Sequence, residues 1–529
     1  MVNDMAEVKK HKSRIGKGLI NMLMFQMYGD CKLIYREYIQ NSRDAINDAV
    51  KLGILDDITQ GGISIYINAP AREIMISDNG TGISIDRVEE VLLDIADSDK
   101  DGESSAGQFG IGRLVGGYFC RKLSFKTSYK GEPYGSEITF DIDHIKAILD
   151  DDTNKCDATD VIDIATTKDL YSEDVDAHYF TVTLHDVDTD YPDLLNEKVI
   201  TEYLQEVAPV DYSVAFYNHL IATSIPEEYE KLQDQVGHFQ ISVNNNTLWK
   251  RYGLKIEGTG DRINGLEYFK LKDDEFGLLA WGWYAITDYT KAIPVSDNNS
   301  RFRLRKHNIQ VGDADMLTPL FPKNESRGNK YFYGEIHIEN QKIKLNSARD
   351  GLAPTPQSEA LKAQLRDFFD GLVKLYHLAN TMKKATERVV EAMEKVNSPE
   401  HVDIIGATVE LKEANRKIVA LEESRNAQSS AAQKVISSYK TRISEAAQTA
   451  TAPAEPKKEV KPIEQPVTHV TDVAPTTSDN IYQPLEGKYS RAEISMVKKV
   501  LKIFADNCPA QYQKLVAELS RKTLKELLK

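Results

Sequence analysis

The 529-residue sequence predicts an α/β protein in its first two thirds and a helical one afterwards. Alternating apolar runs such as "GISIYIN" and "EIMISD" predict strands. Ile34, Ile39 and Ile46 recur at helical spacing just before them, and from about residue 376 the period stays helical.

Composition bounds the rest. Hydrophobic residues are 41% and charged residues 28%, ordinary for a globular chain of about three domains at ~150 residues each. No apolar run approaches the roughly 18 residues that span a bilayer, and the opening "MVNDMAEVKKHKSRIGKG" lacks the pattern of a secretory signal. Cys31, Cys120, Cys156 and Cys508 are scattered, against a disulfide framework or zinc site and in keeping with a reducing cytoplasm. A net charge of -15 disfavours a generally nucleic-acid-coating protein but leaves room for a local basic patch.

Residues 1–195 read as a mixed α/β domain: the helix through Ile34–Ile46, then "GISIYIN", "EIMISD", a polar stretch "ADSDKDGESSAG", a glycine-rich box, and strands "KLSFKTSY", "SEITFDI" and "YFTVTLHDV". Residues 196–375 form a second α/β segment with "GHFQISVNN", "GLLAWGWYAI", "RFRLRKHNIQVG" and "YFYGEIHI", ending in "KIKLNSARDGL" and a helix. In 376–447, Ile404, Leu411 and Ile418 lie seven apart, with Ala407, Ala414 and Leu421 three residues behind each: an a/d seam predicting a short coiled coil. Residues 448–487 hold six of the 18 prolines and read as a disordered linker. The last piece, 488–529, is amphipathic and basic, with ten Lys/Arg against four Asp/Glu.

Three short segments carry chemistry. Glu37, Asn41 and Asp44 fall at i, i+4 and i+7 on one helical face; Asp78-Asn79-Gly80-Thr81-Gly82 follows at a strand end; Gly107-Gln108-Phe109-Gly110-Ile111-Gly112 comes third. No G-x-x-x-x-G-K-[ST] occurs, so a nucleotide's phosphates need another glycine-rich loop of backbone N–H groups, which 107–112 can supply. Asn41 can give a magnesium ion its hard oxygen, and Glu37 can orient or deprotonate a water beside a γ-phosphate. Asp78, beside a tight Gly80/Gly82 turn, can accept a hydrogen bond from an adenine amino group. Each segment alone is as readily a solvated helix face or an ordinary turn; it is the three in order that carry the expectation.

In that order the segments resemble the Bergerat ATP site of the GHKL superfamily: gyrase B, the ninety-kilodalton heat-shock chaperones, histidine kinases and MutL. The resemblance implies a Bergerat ATPase domain, an α+β sandwich, followed by a transducer-like α/β middle domain, and it covers about residues 15–375. It implies that Glu37 is the general base, Asn41 the magnesium ligand and Asp78 the adenine reader. Asp44, Asn79, Gly80, Gly82 and Ile83 would line the ATP pocket, with the 107–112 loop part of a phosphate lid. "REYIQNSRDAI" and "GQFGIG" lean towards the heat-shock branch, as does "IADSDK", which departs by placing Asp97 where that branch carries a lysine. "KIKLNSARDGL" resembles a middle-domain loop whose arginine reaches the γ-phosphate; carried over, that is Arg349, with Asn346 shaping the loop. Arg303, Arg305 and Lys306 are runners-up, though alternating cations on a strand are usually a solvated face.

The family likeness implies ATP and magnesium as cofactors and a slow, conformationally gated ATPase. Its first form is a chaperone-like clamp: a homodimer held by the coiled coil, with the tail recruiting an unidentified protein client. The alternative is an ATP-gated nucleic-acid clamp of MutL or MORC type, supported by the basic tail. A histidine kinase fits poorly, because that family places its dimerising helices before the ATPase domain.

Overall fold

The structure is a computed structural model describing residues 15–25, 30–94, 112–236, 240–297, 299–346, 350–397 and 404–451. The expected tail 488–529 and most of the expected linker lie outside the described residues.

The first layer is an eight-stranded sheet ordered β5-β4-β3-β6-β2-β1-β7-β8. Its strands are β1 (Gly62–Asn68), β2 (Glu73–Asp78), β3 (Lys122–Ser128), β4 (Tyr134–Asp141), β5 (Thr166–Ser172), β6 (Tyr179–His185), β7 (Gln240–Val243) and β8 (Asn246–Thr247). The helices of this part are α1 (Gly18–Phe25), α2 (Leu33–Lys51), α3 (Val88–Leu93), α4 (Ile142–Asp150), α5 (Ala158–Ala165) and α6 (Glu197–Val207). Helix α2 forms because Ile34, Tyr35, Tyr38, Ile39, Ile46 and Ala49 recur at helical spacing and bury one face. It ends at Gly53, whose φ of 67° is the left-handed turn that stops a helix. Alternation in β1 and β2 points Ile63, Ile65, Ile67, Ile74 and Ile76 into the same core.

This layer does not end at residue 195. After α6 the chain makes a helical excursion, α7 (Val214–Phe216), α8 (Ala222–Ser224) and α9 (Tyr229–Gln235), and then returns. β7 pairs in parallel with β1, from Gly62↔Gln240 to Ile65↔Val243, using the free backbone edge of β1. Helix α6 also buries Ile200, Leu204 and Val207 in the first core.

The second layer is a five-stranded sheet ordered β12-β11-β13-β10-β9, built from β9 (Ile263–Asp273), β10 (Gly277–Thr287), β11 (Arg301–Lys306), β12 (Ile309–Val311) and β13 (Tyr333–Ile338). One face packs on helices α10 (Pro356–Asn397), α11 (Ile404–Glu422) and α12 (Ser430–Thr451). The other packs on the 212–236 excursion through Tyr212, Phe216, Trp281, Trp283 and Tyr333. Burial on both faces explains the unbroken apolar run "GLLAWGWYAI" of β10.

The seam of the expected coiled coil faces a helix of its own chain. The seam residues Ala414 and Ile418 are buried, with Leu411 and Leu421 packed beside them, in the same core as α10 of the same chain. An a/d stripe is satisfied equally by a second chain or by a neighbouring helix of its own, and α10 is that neighbour. Helix α12 is pinned to the sheet by the buried Asp288, which accepts from Ser438 Oγ at 2.9 Å and from Arg442, while Tyr439 donates to its carbonyl at 2.6 Å.

Candidate functional site

The first two sequence segments meet where α2 crosses the end of β2. Glu37 and Asp44 on α2 are 3% and 5% exposed, and Asn41 between them is half-buried. Each carboxylate has a neighbouring arginine: Arg36 Nη2 stands 3.7 Å from Glu37 Oε1, and Arg43 Nη1 stands 3.1 Å from Asp44 Oδ1.

Asp78 continues the buried stripe Ile74, Ile76, so the alternation that packs β2 also delivers a carboxylate to the interior. Burial pushes its pKa up to about 7, opposed by hydrogen bonds from the Ser42 hydroxyl and the Gly80 N–H, the latter at 2.9 Å. Ser42 lies on α2, so this bond joins the two motifs directly.

The turn after Asp78 needs its glycines. A Cβ on Gly80 would meet Ala45 Cβ of α2 at 2.6 Å, and Gly82, at φ 64°, has the Ser128 carbonyl oxygen where a Cβ would sit. Asn79 faces away from this contact: its Oδ1 accepts from Gly62 N at 2.7 Å and its Nδ2 donates to the Gln60 carbonyl at 2.8 Å. Its place in the structure is a brace on the start of β1. Ile83 is half-buried, and its N–H donates to Thr127 Oγ1 at 2.9 Å.

Gly107, Gln108, Phe109, Gly110 and Ile111 lie outside the described residues, as does Asp97. Gly112 opens a 3₁₀ segment, Gly112–Phe119, whose attachment to α2 is well defined. The Tyr38 hydroxyl donates to Arg113 O at 2.9 Å and accepts from Gly116 N at 3.0 Å. Arg113 donates in turn to the Asp94 carbonyl, tying the residues before the glycine box to those after it. Tyr38, Ser42 and Thr127 were not singled out in the sequence. Tyr38 and Ser42 sit on the apolar face of α2, where a core role is the default reading, and only tertiary contacts reveal them.

Arg349 also lies outside the described residues. The loop that carries it is closed by a bridge between Leu345 and Leu352, and Asn346 bonds across its root, donating to Asp350 Oδ1 at 2.7 Å and accepting from Gly351 N at 3.3 Å.

The runners-up require a correction. Arg303 and Arg305 are 7% and 1% exposed and do not form a solvated face. Arg305 and Lys250 both bind the buried Glu335, the ammonium at 2.9 Å. Glu335 also accepts from Tyr212, from Tyr252 at 3.0 Å and from His337 at 3.0 Å. Arg303 pairs with Glu206 of α6 at 3.2 Å. Lys306 reaches the Ile343 carbonyl at 2.6 Å, near the Arg349 loop. Alternation here places cations inside because carboxylates distant in the chain receive them, Glu335 on the parallel partner strand β13 for Arg305 and Glu206 on α6 for Arg303, a pairing that a single strand's pattern cannot show.

Among the described residues no cluster of His, Cys, Asp and Glu has metal-binding geometry, and no helix is long and apolar enough to cross a membrane.

Residues 33–170 match the family described as histidine kinase-, DNA gyrase B- and HSP90-like ATPases. The chain is 34% identical over 151 residues to the chaperone protein HtpG of Bacillus subtilis (strain 168), a match spanning 24% of each chain. Against HtpG of Shewanella frigidimarina it is 22% identical over 343 residues, 61% of this chain and 48% of that one. The ATPase region of Saccharomyces cerevisiae topoisomerase II aligns with a TM-score of 0.36 at 13% identity, covering 63% of this chain and 84% of that one. Residues 33–170 therefore match a GHKL-type ATPase domain, and over that part the chain is similar to the HtpG chaperones.

Proposed function

We propose that this protein is a magnesium-dependent ATPase working as a conformational clamp, in which ATP binding orders a lid over the site and brings two N-terminal domains together. The observation that supports it most is the junction of α2 and β2: Glu37, Asn41 and Asp44 share a face of one helix, and that helix hydrogen-bonds through Ser42 to the buried Asp78. Asp78 takes the adenine amino group, and the Gly80–Gly82 turn lets the base approach the backbone. Asn41 is the side chain on that face with a neutral oxygen for magnesium, which on binding would offset phosphate charge. Glu37 orients and deprotonates the attacking water, and Arg349, from the loop after the second sheet, stabilises charge on the γ-phosphate. The 107–112 loop supplies backbone N–H groups to the phosphates. A homodimer and a protein client recruited by the 488–529 segment complete the reading. The excess of ten Lys/Arg over four Asp/Glu in that segment favours, as the second reading, a clamp that acts on nucleic acid.

The test is a comparison of Glu37→Ala, Asp78→Asn and Arg349→Ala in nucleotide binding and steady-state hydrolysis. Glu37→Ala should bind ATP and not turn it over, Asp78→Asn should lose binding, and Arg349→Ala should bind with slowed turnover. Normal hydrolysis by Glu37→Ala removes the general-base assignment. Light scattering of Glu37→Ala with and without magnesium-ATP, in full-length and 1–447 forms, then tests the clamp: unchanged mass and shape despite binding would rule it out.

A further inference from the structure

Helix α2 has a second occupied face beside the one that carries Glu37, and it looks towards the second sheet. Arg36 and Arg43 belong to that face. The Arg43 charge, after burial, lowers the pKa of His307 in the β11–β12 turn, so the tip of that hairpin stands close to α2. Helix α6 fills the space beside it, packing on both α2 and β12. Its Tyr203 packs against the first core, with the Lys32 ammonium 5.8 Å from the ring. Burial pushes the Tyr203 phenol up; Arg36 opposes this, and Asp30, Glu37 and Glu206 reinforce it, so one phenol senses both the Glu37 end and the Glu206 end of the contact.

Glu206, one turn further along α6, is the point of attachment to the second sheet. Its carboxylate pairs with Arg303 Nη2 at 3.2 Å, and its backbone carbonyl accepts from Arg305 Nη2 at 2.8 Å. Arg305 is anchored to Glu335, whose further bonds to Lys250, Tyr212, Tyr252 and His337 leave little room for that guanidinium to shift. The joint is not fully paired as it stands. Among the described residues, Gln40 Oε1 on α2 and Arg303 Nη1 on β11 are buried and meet no hydrogen-bond partner, an unfavourable state for a buried polar atom.

We propose that Glu206 and Arg303 are positioning residues that transmit the placement of the second sheet to α2 and so to Glu37. The consequence for hydrolysis rests on the ATPase reading above; the mechanical coupling does not. Both belong to α6 and β11, elements other than the 345–352 loop.

The experiment compares Glu206→Gln, Arg303→Gln and the exchanged pair E206R/R303E with the wild-type full-length chain. Two readouts are taken: hydrogen exchange of amides 33–44 without nucleotide, and the kcat and KM of ATP hydrolysis. Each single variant should speed exchange in α2 and lower kcat roughly tenfold, the scale of a small misplacement of a reacting group, while KM for ATP stays within about twofold. The exchanged pair should recover most of both effects, because it restores the ion pair with its polarity reversed. Unchanged exchange in both single variants overturns the coupling, as does a kcat that stays at the wild-type level while exchange rises throughout the fold. If the wild type hydrolyses no ATP yet the exchange pattern in α2 follows the pair, the ATPase reading fails and the joint stands.

Discussion

The Lys250 ammonium lies 2.9 Å from Glu335 Oε1, with the two side chains 1% and 0% exposed. Glu335 is the carboxylate between two buried cations, since Arg305 binds the same oxygen. Burial is the largest influence on each group, yet the two cations hold Glu335 well below the usual carboxylate range. Lys250 is drawn down to about 7, because burial and the repulsion of Arg305 outweigh the attraction of Glu335.

Removing the shared partner should therefore cost more than removing one of those it serves. Glu335→Gln strands two buried cations and should destabilise the second layer by about 3–5 kcal/mol, the scale for breaking a buried pair from one side. Lys250→Met leaves the carboxylate with Arg305 and should cost less than half of that. Trp283 donates to Tyr212 at 2.7 Å and Trp281 stacks on His337 at 4.1 Å, so tryptophan emission during urea unfolding reports on this core. Equal losses would mean that Glu335 is not the organising group.

Asp78 gives a pH dependence of known sign. Its pKa is raised by burial from 3.8 to about 7 in the folded protein, so the folded state holds a proton that the unfolded chain has released. The favourable contribution is complete below the unfolded value and is lost as pH rises through the folded one, at about 1.4 kcal/mol for each tenfold difference in proton affinity between the two states. Asp78→Asn removes the titration while keeping the shape. Its thermal midpoint should exceed that of the wild type at pH 8 and approach it at pH 5, in nucleotide-free protein followed by calorimetry. A constant difference across that range would show that Asp78 does not titrate there.

Gly82→Ala tests the turn. At φ 64° a side chain is strained, and the Ser128 carbonyl oxygen lies 1.8 Å from where its Cβ would be. Strain alone is worth about 1–3 kcal/mol, and β3 must also retreat. The variant should lose nucleotide affinity as well as stability, because the displaced segment carries Thr127, which holds Ile83. A Gly131→Ala control has open space around its Cβ, so it should lose only the strain and no affinity.

What was legible in the sequence was what depends on local period. Alternation placed β2 with Asp78 at its end, and helical spacing put Glu37, Asn41 and Asp44 on one face of α2. What was not legible depends on partners distant in the chain. Nothing near Gln240 announces that β7 will pair with β1, and nothing in "RFRLRK" says that Glu206 on α6 will receive Arg303 and Glu335 on β13 will receive Arg305. Asn79 shows the same limit in reverse: it stands in the motif, yet its side chain is spent on Gly62 and Gln60.

The stripe on α11 gives the last prediction, because two structures explain one pattern. If the seam serves its own chain, Ile418→Asp places a carboxylate against α10 in a site where the native side chain is 5% exposed. The loss of a large buried aliphatic group alone costs about 2–5 kcal/mol, and the charge adds to it. The thermal midpoint of the full-length variant should then fall while its mass by light scattering matches the wild type. If the seam served a second chain instead, the mass would drop and the fold of each chain would keep its midpoint. Ile405, 81% exposed on the same helix, is the control: Ile405→Asp should leave the midpoint in place, since its native side chain already faces water.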